Sequence, residues 1–138
     1  MISKEVKPKH LNLISNDTLI SHLKIEFTDV GEDFVKAKMP VNETTFQPMG
    51  LLHGGASVAL AETVGSSGSH LMIDSKTQYA VSIEINANHV GSAYKGHVHA
   101  LGKIIHKGRS THIWNIDIKD DNGKMISICR LTMMILDR

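Results

Sequence analysis

Two features between residues 47 and 66 carry residue types suited to bond-breaking chemistry. The first is the run Gln47-Pro48-Met49-Gly50-Leu51-Leu52-His53-Gly54-Gly55-Ala56-Ser57, which reads as the lead-in to a helix. Adjacent glycines at a helix N-terminus permit close backbone approach and present unpaired N–H groups at the positive end of the helix dipole. Such amides can hold an anion or a developing oxyanion. A glycine-rich start needed only for packing fits these residues equally well. The second feature is Glu62, the one acid between Glu43 and Asp74, set among Ala, Val and Gly. A carboxylate there is either turned to solvent or partly withdrawn from water. The small neighbours favour the second arrangement, which suits a general base or a nucleophile. Ser66, four residues on, shares the same helix face.

Spacing constrains how the two could cooperate. Gly54 and Glu62 lie eight residues apart, about 12 Å along a helix axis at ~1.5 Å per residue. An oxyanion donor and a base acting on one carbonyl must both sit close to it, so one helix cannot supply both to one site. If both features are catalytic, the simplest arrangement shares each site between two copies of the chain. The sequence therefore predicts a homodimer with two composite sites, Gly54 from one copy facing Glu62 of the other.

The elements that must position these residues follow from periodicity. His10 to Leu23 is loosely helical, one or two short turns, and Lys24–Thr28 and Phe34–Met39 alternate apolar and polar residues around Gly31-Glu32-Asp33 as a hairpin would. Gly54 to Ser69 is dense in Gly, Ala and Ser, poor in intrinsic helix propensity, and so predicts a central helix held by close tertiary packing, including packing at a dimer interface. Four strand-like runs follow: Tyr79–Asn88, with Val81, Ile83 and Ile85 on one face and Ser82, Glu84, Asn86 and Asn88 on the other; Gly96–His106; Thr111–Lys119; and Met125–Leu136, apolar on both parities and so central and buried. Asp121-Asn122-Gly123 signals a tight hairpin. Two strands, one helix and four antiparallel strands make an α+β fold.

Composition narrows the function classes. The chain has 138 residues, 41% hydrophobic and 21% charged, the balance of one folded domain spanning 1–138. A net charge of +1 and six aromatic residues give neither the field nor the stacking platform of a nucleic-acid binder. No apolar run is long enough to span a membrane, and residues 1–9 lack an apolar signal core. The single cysteine, Cys129, reads as a core thiol in a reducing, cytoplasmic setting. His97 and His99 share a strand face but lack converging ligands, so no metal site is expected. His10, His22, His70, His106 and His112 read as surface or half-buried residues.

The run Met39-Pro40-Val41 through Gln47-Pro48 and Gly50–Ser57 to Leu60-Ala61-Glu62-Thr63-Val64-Gly65-Ser66 resembles the hotdog-fold acyl-CoA thioesterases. The resemblance continues through Glu84-Ile85-Asn86-Ala87-Asn88-His89 and His106-Lys107-Gly108-Arg109 with Trp114, so it covers most of the chain. It is strongest to the subgroup acting on aromatic thioesters, which includes 1,4-dihydroxy-2-naphthoyl-CoA hydrolases and the enterobactin-synthesis proofreading thioesterases of the phenylacetic acid degradation type. It implies an antiparallel β-sheet wrapped around one long central helix, a homodimer that commonly pairs into a homotetramer, and no cofactor. It further implies that Glu62 attacks the thioester or activates a water, and that the Gly54 N–H of the other subunit polarises the carbonyl. Gln47 and His53 would sit beside the carbonyl or the water, and Ser66 beside Glu62. Gly55 and His89 would contact substrate, His89 along the acyl or pantetheine channel. Lys107, Gly108, Arg109 and Ser110 would meet the phosphates of CoA. One departure is Gly91, where relatives often carry an arginine.

The expected activity is hydrolysis of an aromatic acyl-CoA to free acid and CoA. The alternatives are a medium-chain aliphatic acyl-CoA or acyl-carrier-protein thioesterase, a dehydratase of the same fold, and a non-catalytic acyl-CoA binding module. Gln47, His53 and Glu62 together favour hydrolysis.

Overall fold

Most of the predicted elements appear with boundaries shifted by a residue or two. The computed structural model describes every residue from Met1 to Arg138. Its elements are α1 (Pro8–Ile14), α2 (Leu19–His22), β1 (Glu26–Val30), β2 (Phe34–Pro40), α3 (Gly54–His70), β3 (Gln78–His89), β4 (His97–Lys107), β5 (Thr111–Asp120) and β6 (Met125–Asp137). Pro8 occupies the first turn of α1, where its missing N–H costs nothing, so helix begins two residues before the predicted start. Lys24, at φ 54°, turns the chain out of α2, which delays β1 to Glu26. No helix is long and apolar enough to cross a membrane.

The six strands form one antiparallel sheet in the order β1-β2-β4-β5-β6-β3, and α3 lies on one face against β2 through β6. The core fills the space between them. Leu60, Ala61 and Val64 of α3 meet Val98 and Ala100 of β4, Trp114, Ile116 and Ile118 of β5, and Leu131 and Met133 of β6, all buried. Cys129 joins this core, where burial pushes its thiol up to about 11.

Two of the small residues of α3, Gly65 and Gly68, have an explanation within the chain itself. A Cβ on Gly65 would lie 2.6 Å from Leu131 Cδ2, and one on Gly68 only 2.3 Å from Trp114 Cη2. These glycines let the helix descend onto the enclosed indole, so the smallness of this face is not by itself a sign of contact between copies. Gly68→Ala is therefore expected to destabilise the fold in denaturant titration. Overpacking costs about 1–3 kcal/mol, against about 1 kcal/mol gained in helix propensity, and Trp114, at 0% exposed, has nowhere to move. A more stable Gly68→Ala would show that the helix can lift off the ring.

Three readings of the strands are corrected. First, β3 does not keep Val81, Ile83 and Ile85 on one inward face: Val81 and Ile83 are exposed. Ser82 pairs with Met133 and Glu84 with the next residue back, Thr132, so Ile83 is an unpaired bulge that reverses the strand's parity. Second, β6 is an interior strand, next to the edge strand β3 rather than at the centre of the sheet, and is buried mainly on one face. Ile126, Cys129, Leu131, Met133 and Ile135 point inward, whereas Ile128 is 41% exposed. Third, His112 is 2% exposed, sharing the inward parity of Trp114, Ile116 and Ile118. Ser69 Oγ accepts the Trp114 Nε1 proton at 2.8 Å and lies 3.0 Å from His112 Nδ1. Burial first, then the charges of Lys107, His106 and the N-terminal ammonium, holds His112 below the usual 6.5.

Candidate active site

The predicted site residues fall at three stations along α3. At its start, backbone bonds fix the lead-in loop: Gln47 N–H donates to Leu51 O (2.8 Å), Gly50 N–H to Gln47 O (3.0 Å), Leu52 N–H to Ala93 O (2.8 Å) and His53 N–H to Thr45 O (2.8 Å). Gly50, at φ 76°, closes this turn in a conformation that favours glycine. The Gln47 side-chain oxygen also accepts from the Met49 N–H, which holds Gln47 over the helix start.

His53 is the N-cap of α3. Its Nδ1 accepts from the Gly55 N–H at 2.8 Å, and its carbonyl accepts from Ala56 (3.0 Å) and Ser57 (3.2 Å). Of the first four helix amides, these bonds leave one open, that of Gly54. His53 therefore acts here as a cap, and the Gly55 amide is engaged by it. His89, from the end of β3, closes over Gly54: a Cβ on residue 54 would lie 2.7 Å from His89 Nε2. The other ring nitrogen of His89 is 2.6 Å from Ser127 Oγ, which fixes the ring. Gln47, Gly54 and His89 line one cavity of about 240 Å³. The backbone explains Gly91 on its rim, since a Cβ there would sit 2.4 Å from the Met125 carbonyl oxygen.

Half-buried Glu62, at mid-helix, lines a second cleft of about 500 Å³ that runs back to Gly55, with Leu19 and Ile20 of α2, Val58 and Ala59 one turn back, and Ser66 one turn on. Ser66 shares the cleft as the spacing predicted, but the hydrogen bond to Glu62 comes from elsewhere: Ser82 Oγ of β3 donates to Glu62 Oε1. Counting parity straight along β3 sends Ser82 away from the inward face, so sequence reasoning missed it. It also missed Leu19 and Ile20, whose signal is a pair of apolar residues on a single helical turn, of which Ile20 packs against the core and Leu19 stays exposed.

The third station is the turn between β4 and β5, past the C-terminal end of α3. Gly108 N–H donates to Thr111 O (2.8 Å), and Ser110 O accepts from Ile135 N–H (2.9 Å). Lys107, Arg109 and Ser110 are exposed. The N-terminal ammonium is held below its ordinary range by loss of water and by Lys107 beside it, with Glu32 opposing that shift. A 17-residue helix is ~25 Å long, so the turn stands well away from Gly54 of the same chain. His97 and His99 lie outside all three stations. His99 Nε2 pairs with Asp121 Oδ1 at 2.7 Å, and this hydrogen bond, with a second from the His97 N–H, lowers the Asp121 carboxyl.

The sequence pattern of the thioesterase superfamily matches residues 49–127, from the lead-in loop into β6. The chain belongs to the thioesterase superfamily. The thioesterase is a thioester hydrolase with the hotdog fold, as the relatives below also indicate. It is 41% identical over 133 residues to the 1,4-dihydroxy-2-naphthoyl-CoA hydrolase of Escherichia coli, covering 96% of this chain and 97% of that one. A mutant thioesterase of Pseudomonas aeruginosa superposes with a TM-score of 0.97 at 39% identity, covering 99% of each chain. A thioesterase of Haemophilus influenzae superposes with a TM-score of 0.94 at 39% identity, covering 99% of this chain and 94% of that one.

Proposed function

We propose that the enzyme hydrolyses acyl-CoA thioesters, preferring an aromatic acyl group, at sites shared between two copies of the chain in the cytoplasm. The observation that carries this reading is the placement of Glu62, a carboxylate half-withdrawn from water beside an apolar wall of Leu19, Ile20, Val58 and Ala59. That wall would seat the acyl group, and the kinship to a naphthoyl-CoA hydrolase favours an aryl occupant.

In the proposed reaction the Gly54 N–H donates to the thioester oxygen, while Gln47 and His89 border the same pocket. Either Glu62 takes a proton from water as the water oxygen bonds to the carbonyl carbon, or its own oxygen makes that bond and water cleaves the resulting anhydride. In both routes negative charge collects on the carbonyl oxygen, the C–S bond breaks and CoA thiolate leaves. A thioester lacks amide-like resonance, so one carboxylate and one donor pocket suffice. Lys107, Arg109 and Ser110 would meet the CoA phosphates.

Within one chain Gly54 and Glu62 open into different cavities, which supports the shared site. So does β3, a 12-residue strand paired only with β6, which leaves a long open edge bearing Val81 and Ile83. Both α3 contacts described above, Gly54 with His89 and Glu62 with Ser82, fall on this strand. Antiparallel pairing of two β3 edges, with a two-fold axis between Ser82 and His89, would carry Gly54 of one copy towards Glu62 of the other.

Free-thiol release from a panel of acyl-CoAs tests the substrate class. The highest kcat/KM is expected on aryl thioesters, with CoA preferred over carrier-protein thioesters. Peak activity on medium aliphatic chains would overturn the aromatic preference. Tight CoA binding without turnover would replace hydrolysis with a binding function.

A further inference from the structure

We infer that Ser82 is a positioning residue for Glu62, and that the β3 bulge at Ile83 serves to place it there. The inference rests on the proposal that Glu62 is the reacting carboxylate. Ser82 and His89 are seven residues apart, an odd number, so a regular strand would send them to opposite faces of the sheet. Both nonetheless touch α3, Ser82 through Glu62 and His89 against Gly54. The extra residue reconciles them. Before the bulge the even positions Ala80 and Ser82 face the helix, and after it Ile85, Ala87 and His89 do. Ile83 itself is 52% exposed, so the irregularity adds nothing to the core. Its consequence is to let one strand address both the middle and the start of α3.

The chemistry gives that placement a use. A glutamate on a helix rotates about several bonds, and an unanchored carboxylate spreads over orientations that do not react. One O–H donated to Oε1 selects an orientation and leaves Oε2 for the proton or carbon it must reach. Serine does this without bringing a charge that would compete with the substrate. Ser66 shares the cleft but makes no hydrogen bond to Glu62, so the anchoring falls to β3.

The test compares Ser82→Ala, Ser82→Thr and Glu62→Gln by steady-state kinetics on one aryl-CoA. Ser82→Ala is expected to lower kcat about ten- to a hundredfold, the range for a hydrogen bond to a charged group, with KM within about twofold because the lost donor touches the base and not the substrate. Ser82→Thr, which keeps the hydroxyl and suits a strand, should recover most of kcat. Wild-type kcat in Ser82→Ala, beside an inactive Glu62→Gln, would overturn the positioning role alone. So would a loss confined to KM, or an equal loss in Ser82→Ala and Ser82→Thr. An active Glu62→Gln would instead overturn the reading of the carboxylate beneath it.

Discussion

Glu62→Gln is expected to lower kcat by about 10²–10⁴-fold, the range for removing a positioned base, while leaving KM for acyl-CoA within a few-fold. The substitution keeps the length, shape and hydrogen-bond acceptor of the side chain, so Ser82 can still donate to it and the cleft beside Leu19 and Ile20 stays intact. What it removes is the charge and basicity needed to take a proton or attack a carbonyl. A small loss of kcat would mean that Glu62 is structural. A rise in KM with kcat unchanged would mean that it binds substrate in the ground state instead of acting in the reaction.

The second large effect isolates a single backbone hydrogen. Gly54→Pro deletes the one amide that the start of α3 leaves open, and the local backbone accepts proline. Residue 54 is the first helical position, where proline is favoured. His53 already has φ −68° and ψ 132°, the extended conformation required before proline. Gly54→Ala is the control, because it adds the same Cβ against His89 Nε2 but retains the N–H. Loss of an oxyanion donor costs about 10²–10³ in kcat, so Gly54→Pro should fall that far below Gly54→Ala, measured by thiol release. Equal activities would place the defect in the crowding of His89 and remove the amide from the proposed reaction.

Much of this arrangement is legible from local signals. The helix lead-in, the isolated acid Glu62 and the Asp121-Asn122-Gly123 turn, with Gly123 at φ 80°, are each specified by a few adjacent residues, and so are the strand limits. What escapes local reading is set by tertiary partners. The bulge at Ile83 leaves no compositional mark, because one unpaired residue looks like any other exposed isoleucine. That single residue inverts which side of β3 faces the helix and hides Ser82. His112 looks like a surface residue by type, although its parity with Trp114 already placed it inside. Of the small residues of α3 that suggested a neighbouring copy, Gly65 and Gly68 are accounted for by the chain's own Leu131 and Trp114, whereas Ala59, Ser66 and Ser67 line the open cleft beside Glu62. The capping of α3 by His53 likewise depends on a side-chain rotamer that spacing does not encode.

The shared site is tested most directly by subunit mixing. Glu62→Gln and Gly54→Pro chains, each inactive alone, are co-expressed with different tags and the hybrid-containing pool is assayed. In a hybrid dimer one site combines the intact Glu62 of one chain with the intact Gly54 of the other, and the second site carries both substitutions. Random pairing makes half of the dimers hybrids with one working site of two, so activity should return to about one quarter of wild type. A mixture as inactive as its parents, or a wild-type enzyme that sediments as an active monomer, would contradict a site built from two chains.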